Sequence, residues 1–566
     1  MGRPSKVQPA RPGSSRRDFF KRSSAGAAAL VAAPGLLPLA AEAAVNTVFQ
    51  HGVASGDPLA DRVILWTRVT PASAKPAVAV TYVVATDPAL SQVVQRGSTK
   101  TNPGRDYTVK VDAAGLQPGT TYYYQFSAEG VTSPVGRTKT LPTTNVASLR
   151  FAVVSCSNHA YGYFNAYGRI AARADLDLVM HLGDYIYEYG AGQYGIARTP
   201  EPATELISLA DYRQRHAQYK RDADSQAMHR QHPLVAIWDD HETANNSWKD
   251  GAENHQPATE GDWNARVTAA LQAYYEWMPV RPVDVNNRRD NHRGFAYGDL
   301  ADLLMLEERV NARSEQITTS VHTTVFGPGF STNDPGYGDT SRTMLGDAEE
   351  AWLINRLRTS QAQWKLLGQG VMFAQLKAPS ANPADPGLFF LNSDQWDGYE
   401  PARNRIFAGI KGDANNPQVN NVVVLTGDIH SSWAADLHPN PYNPVVAAGG
   451  YNKTTGEGSL AVEFVGTSVT SPGFEILVKP EQLPSVTAGL QFYNPHFKYL
   501  QLTKRGYLLM DVNRDRVVGE WWYVDTVASP SNIETFAAAF EVRNGENHLR
   551  ASAQTPNRAN PPALAP

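Results

Sequence analysis

The sequence predicts an α/β (α+β) sandwich of two sheets flanked by helices, preceded by a small β-sandwich domain. Three observations carry this. After Leu149, short continuous apolar runs alternate with helical stretches, the pattern of strands buried on both faces. Between Val48 and Thr140 the runs are instead short, alternating and separated by turn residues. The whole 566-residue chain is 42% hydrophobic and 19% charged, a globular composition that excludes a disordered or fibrous protein.

Residues 1–43 stand outside that fold. Ser15-Arg16-Arg17-Asp18-Phe19-Phe20-Lys21, a weakly apolar stretch (25–33) and Ala41-Glu42-Ala43 resemble a twin-arginine export signal with a small-x-small cleavage site. This implies a twin-arginine translocase as partner and a periplasmic or extracellular destination. Cleavage after Ala43 removes seven Lys/Arg and two acids, taking the net charge from −4 to −9. Twin-arginine export carries folded proteins, so a metal loaded before export is compatible with it.

Residues 44–140 are read as the β-sandwich, with strands near 63–67, 78–84, 107–111 and 122–126. Leu116-Gln117-Pro118-Gly119-Thr120 before Tyr122-Tyr123-Tyr124 resembles the tyrosine corner of fibronectin type III domains. A domain of this size reads as a spacer or substrate-side wall. Residues 138–148 are polar with a proline and are read as a linker.

Residues 149–527 form the larger domain. Strands are expected at 151–154, 178–180, 234–237, 364–367 and 422–425, helices at 164–173, 209–229 and 349–357, and a hairpin from 507 to 524. From 528 to 566 the expectation is a C-terminal helix followed by a disordered, Pro-rich tail. No apolar run reaches the roughly 18–20 residues of a membrane span. The negative net charge offers no basic field for nucleic acid, so no nucleic-acid partner is expected. The single cysteine excludes an intrachain disulfide.

Four of these strands end on metal-ligating side chains: Cys156 after 151–155, Asp184 and then Tyr187 after 178–183, Asp239-Asp240-His241-Glu242 after 234–238, and Asp428-Ile429-His430 after 422–427. The carboxyl ends of buried strands in α/β sheets open into the ligand crevice, so these groups converge. Each has a plainer reading. Cys156 alone is a small core hydrophobe, Tyr187 a packing aromatic, and Asp240 and Asp428 are turn or cap residues. Asn245 and Asn246 are equal candidates for one more oxygen ligand, and Asp239 is a further one. His241 either caps its strand or serves a phosphoryl oxygen or leaving group. Gly190 to Gly195 spells G-x-G-x-x-G, but a polar, Pro-bearing stretch follows where a nucleotide-binding helix would begin. His241-Glu242 lacks the second histidine of a zinc protease, because position 245 is Asn.

The order Gly-Asp-x-x-Tyr, His-Glu, Gly-x-x-His is similar to that of dinuclear metallophosphoesterases. Longer motifs narrow the match. Val48-Phe49-Gln50-His51-Gly52-Val53-Ala54-Ser55-Gly56-Asp57-Pro58, Ser155-Cys156-Ser157, His181-Leu182-Gly183-Asp184-Tyr185-Ile186-Tyr187-Glu188, Trp238-Asp239-Asp240-His241-Glu242 and Leu425-Thr426-Gly427-Asp428-Ile429-His430-Ser431 resemble the PhoD-like alkaline phosphatase D family, from about Val48 to Val524. The resemblance implies a metallophosphoesterase sandwich and a secreted phosphoesterase with one Fe³⁺ and Ca²⁺. Cys156 thiolate, Tyr187 phenolate and Asp184 carboxylate carry three negative charges, matching a trivalent ion, and His430 completes that shell. Asp184 then bridges to an oxygen-rich position served by Asp240, Asn245 and Asp428, the hard ligands calcium prefers. Asp428 stands where a histidine is usual, which shifts the second metal toward calcium. His241 and Asp240 are the expected catalytic pair. No G-x-S-x-G nucleophile elbow is present, so a metal-activated water is the expected attacking group. The family spans phosphate monoesters and diesters, consistent with phosphate scavenging; a phospholipase D-like activity on lipid headgroups, or one on teichoic acid, is the alternative. A catalytically silent cell-surface binding protein is the reading from another class. Glu307-Glu308-Arg309-Val310-Asn311-Ala312-Arg313 departs from the family's usual Asp-Thr-Arg-x-x-x-Arg. Arg309 or Arg313 either clamps phosphate or pairs with acids.

Overall fold

Each apolar strand divides its side chains between two cores. Phe151 and Val153 point into the layer between two sheets, while Ala152 and Val154 meet the helices outside. Val423 and Leu425 likewise enter the central layer, and Val422 and Val424 the opposite outer one. A strand buried on both faces offers few positions for a polar residue, so it reads as a nearly continuous apolar run. The result is a helix–sheet–sheet–helix sandwich in this computed structural model, which describes residues 46–318 and 321–566. The export-signal reading lies outside the described residues.

The first sheet has ten strands. At its centre Ser148–Val154, Leu178–Leu182, Pro233–Ile237 and Val53–Gly56 run parallel in that order. The second has seven, with Ala301–Met305, Trp364–Gln369, Val422–Thr426 and Ala461–Val465 parallel. The expected helices are present as Asn165–Ala171 and Gly346–Thr359, and the third divides into Leu209–Arg221 and Ala223–Gln231. Asp222 makes that break: its carboxylate accepts the Asp224 and Ser225 N–H groups and caps the second helix. Trp263–Trp277, Glu400–Lys411 and Leu483–Tyr493 are helices beyond those expected.

The N-terminal domain is a sandwich that borrows one of its two sheets. Val78–Ala85, Val93–Thr101, Thr121–Ala128, Val131–Thr132 and Gly136–Lys139 form a five-stranded sheet of their own. Val53–Gly56, Arg62–Arg68 and Thr108–Ala114 instead extend the ten-stranded sheet, and the two faces enclose a shared core of Val53, Leu65, Val80, Val84, Tyr124 and Phe126. Gly56 pairs with Leu234 at the junction, where a Cβ would lie 2.6 Å from Leu234 O and 2.4 Å from Pro279 O, so only glycine fits. Tyr122 Oη accepts the Gln117 N–H at 2.8 Å, the bond of a tyrosine corner. Of the expected linker, both ends are strand and only 140–147 is loop.

The tail differs from expectation. Neither a helix nor disorder follows residue 528: Glu534–Arg543 pairs with Arg516–Val524, and Arg550–Ser552 adds a further strand. Ala537-Ala538-Ala539 carries helix propensity, but pairing along the sheet edge overrides it. The last residues lie against the body through Arg558–Asp177 at 2.7 Å, Arg150–Pro556 O at 2.7 Å and Gln231–Ala565 O at 2.9 Å. These bonds satisfy a Pro-rich backbone that has no ladder to join.

Candidate metal and catalytic centre

The four strand ends that carry Cys156, Asp184, Asp239–Asp240 and Asp428–His430 meet at one edge of the sandwich. Where each strand stops, the chain turns sharply: Cys156, Asp184, Asp428 and His430 all have positive φ, between 54° and 61°. This conformation is uncommon for side chains other than glycine and concentrates at functional sites. Gly183, at φ 95°, precedes Asp184, and a Cβ there would lie 2.3 Å from Asp239 Cβ. Glu242 holds these turns together. Its carboxylate accepts the N–H groups of Asp184 at 3.0 Å, Tyr185 at 2.6 Å and Asp239 at 2.8 Å.

Ligand atoms of Cys156, Asp184 and His430 lie within 4.8 Å of one another. Tyr187 joins them, its Oη 2.9 Å from Asp184 Oδ2 and 3.3 Å from His430 Nε2, with Ser471 Oγ 2.6 Å away. His430 Nδ1 bonds Pro472 O at 2.9 Å, leaving Nε2 toward the cluster, as metal-ligating histidines are oriented. On the other side Asp184, Asp239, Asp240 and Asp428 form a second group within 4.8 Å, and Asp184, Asp240 and His241 a third. Asp184 is common to all three. Asn245 stands beside them: its backbone N–H meets Glu188 at 2.8 Å and its amide reaches Glu253 at 3.4 Å. Asn246 gives its N–H to Asp240 Oδ2 at 2.6 Å.

These groups fit a bound cation. Asp239 Oδ2 and Asn246 Oδ1 are buried without a hydrogen-bond partner. Burial, with the neighbouring carboxylates, pushes Asp184 and Asp239 well above the usual carboxylate range, against the pull of His241 and Arg309 respectively. Burial first, then Asp184, raises Cys156 and Tyr187 in the same way. Crowding of this kind raises the cost of charge on the donors, and a cation beside them lowers that cost.

His241 packs on the Tyr187 ring at 4.1 Å, and its Nδ1 lies 2.6 Å from Glu188 Oε2. Glu188 is fixed in turn by Asn245 N and Asn254 Nδ2, both at 2.8 Å. Burial opposes charge on His241, but Asp240, Glu188 and Asp184 outweigh it and hold its pKa well above 6.5. Burial also opposes charge on Asp240, where Arg309 and His241 prevail and keep the carboxyl below its ordinary value. Arg309 and Arg313 are fully buried and pair with acids instead of facing an outside phosphate. The Gly190–Gly195 motif is a turn that carries Tyr194, whose Oη is 3.4 Å from His430 Nδ1.

The centre has the donors of a metallophosphoesterase at the place where one would be built, and family comparison decides the matter. The model for the PhoD-like phosphatase matches residues 151–521, and that for the PhoD-like phosphatase N-terminal domain matches 35–142. The chain belongs to the PhoD-like phosphatase family. It is 37% identical over 524 residues to alkaline phosphatase D of Bacillus subtilis (strain 168), covering 90% of this chain and 83% of that one. The solved structure of PhoD superposes with a TM-score of 0.77 at 36% identity, covering 91% of this chain and 94% of that one. As a PhoD-like phosphatase the protein is a metal-dependent phosphoric ester hydrolase. Donors at all four strand ends leave the silent binding-protein reading without support. Among the described residues no helix is long and apolar enough to cross a membrane.

Glu188, Glu242, Asp394 and Gln395 support the centre in roles that the sequence does not show. Glu188 and Glu242 did lie inside quoted motifs, one residue after Tyr187 and after His241. Asp394 and Gln395 carry no sequence signal, because only the fold brings them to Arg309 and Asp428.

Proposed function

We propose that the protein is an exported alkaline phosphatase that releases phosphate from monoesters and diesters, with Fe³⁺ held by Cys156, Asp184, Tyr187 and His430. Ca²⁺ is assigned to Asp184, Asp240, Asn245 and Asp428. The observation that carries this reading is Asp184, shared between a thiol–phenol–imidazole group and an all-carboxylate group. The first set has the charge for a trivalent ion, the second the oxygen chemistry of calcium. Such ions, when bound, neutralise phosphoryl oxygens and lower the pKa of a water. Asp240 is fixed by the His241 and Asn246 N–H groups at 3.0 and 2.6 Å. His241, held at Nδ1 by Glu188, passes a proton from its other ring nitrogen to the departing alcohol oxygen. Export rests on the twin-arginine-like segment of residues 1–43.

A visible spectrum with elemental analysis tests the assignment. Phenolate on Fe³⁺ gives a charge-transfer band, so the wild type is coloured and Tyr187→Phe loses the band. Cys156→Ser retains less iron, having lost one anion. A colourless, fully active wild type containing only zinc overturns the ferric assignment.

A further inference from the structure

Arg309 faces inward on every side. Its side chain is fully buried. Nε donates to Asp239 Oδ1, and Nη1 donates to both Asp394 oxygens at 3.0 and 2.8 Å. Nη2 lies 3.4 Å from Asp428 Oδ1 and 3.8 Å from Asp240 Oδ1. Asp239, Asp240 and Asp428 are the three aspartates grouped with Asp184. Asp394 backs the guanidinium and is itself held by Arg313 Nη2 at 2.7 Å and Gln316 Nε2 at 2.6 Å. The adjacent Gln395 donates to Asp428 Oδ2 at 2.5 Å. A buried planar fork set among four carboxylates is placed to offset the charge it touches.

We propose that Arg309 is a positioning residue, a permanent counter-cation that compensates Asp239, Asp240 and Asp428 and shares that task with the divalent ion. The last clause rests on the calcium assignment above; the compensation itself belongs to the protein alone. Removing one partner of a buried charge group strands the others, whereas removing the stranded charge as well relieves the penalty. The pair Arg309 and Asp239 therefore couples with a sign that mere packing does not produce.

The test is a thermal-melting cycle on the purified full-length protein in EGTA, repeated with added Ca²⁺. In EGTA, Arg309→Gln melts lower than wild type by about 5 °C. Asp239→Asn destabilises the wild type but stabilises Arg309→Gln, so the double variant melts above Arg309→Gln. Arg309→Lys, which keeps the charge, recovers at least half of the loss. Additive effects in the cycle, or a lysine variant no better than glutamine, overturn the proposal. Should Arg309→Gln fail to fold, the double variant and Arg309→Lys must both fold; failure of either also overturns it. Calcium raises the melting temperature of Arg309→Gln more than that of wild type. If wild type ignores calcium while the sign inversion in EGTA persists, the calcium assignment falls and the counter-cation stands. If calcium shifts both proteins equally, the sharing of the task is refuted.

Discussion

Glu188 stands outside the clustered groups, yet it decides what His241 can do. One carboxylate oxygen meets the imidazole at 2.6 Å while the other is pinned by two N–H donors, so the ring has a single orientation and a nearby anion that favours its charged form. Glu188→Gln keeps the shape and one acceptor but removes the anion. The expected result is a kcat lower by about 10²-fold with KM little changed, the size of a lost general acid. Steady-state kinetics on an ester with a poor leaving alcohol measure it, because such a substrate depends most on the donated proton. At this scale the sequence was partly legible. Cys156, Asp184, Asp428 and His430 could be seen because they stand within a few residues of the ends of apolar runs. Glu242 was visible as a residue but its role was not, because its work is done through backbone N–H groups that leave no mark on composition.

The helices behind the first sheet contain a different kind of chemistry. His216 on Leu209–Arg221 lies over Tyr185, with neither ring nitrogen hydrogen-bonded, and His181 on Leu178–Leu182 also borders that ring. Burial, followed by the nearby Lys220, lowers both to a pKa of about 3. A histidine held neutral in the fold gives its full stability above the unfolded value of 6.5 and loses it progressively as pH falls toward 3. At pH 5 the loss is about 2 kcal/mol for each such residue. His216→Phe removes one of these ionisations while keeping a ring on Tyr185. Melting curves at pH 7.5 and pH 5 should therefore show a smaller acid-induced drop in the variant than in wild type. Equal drops would place the acid sensitivity elsewhere. Secondary structure at this scale followed hydrophobic period well inside the sheets and poorly at the tail. There the stretch expected to hold a C-terminal helix holds Glu534–Arg543, a strand paired with Arg516–Val524.

For the molecule as a whole, the boundary between the two domains is a pair of hydrogen-bonded strands. Ser55 and Gly56 pair with Pro233 and Leu234, Trp66 Nε1 reaches Glu276 O at 2.8 Å, and Lys110 Nζ bonds Val280 O at 2.9 Å. The sequence presents two domains because the N-terminal strands alternate like any small sandwich, and nothing in that alternation says which sheet they join. A shared sheet couples their unfolding. Differential scanning calorimetry of the full chain should give one main transition, and Gly56→Ala should lower that whole transition, with a destabilisation of about 1–3 kcal/mol from overpacking. Two separated transitions, with only the earlier one moved, would show that the domains unfold independently.

The left-handed turns at Cys156, Asp184, Asp428 and His430 bear on when the centre is gathered. Each such residue costs about 1–2 kcal/mol in an L-amino-acid chain. That energy is supplied while the two sheets pack and Glu242 closes on its three N–H groups, which is a folding event. The donors are then already aimed inward, so little conformational entropy remains to be lost on ligation. With the ions assigned as proposed above, preorganisation of this kind turns folding energy into metal affinity: an ion entering the folded protein does not have to draw in loose arms.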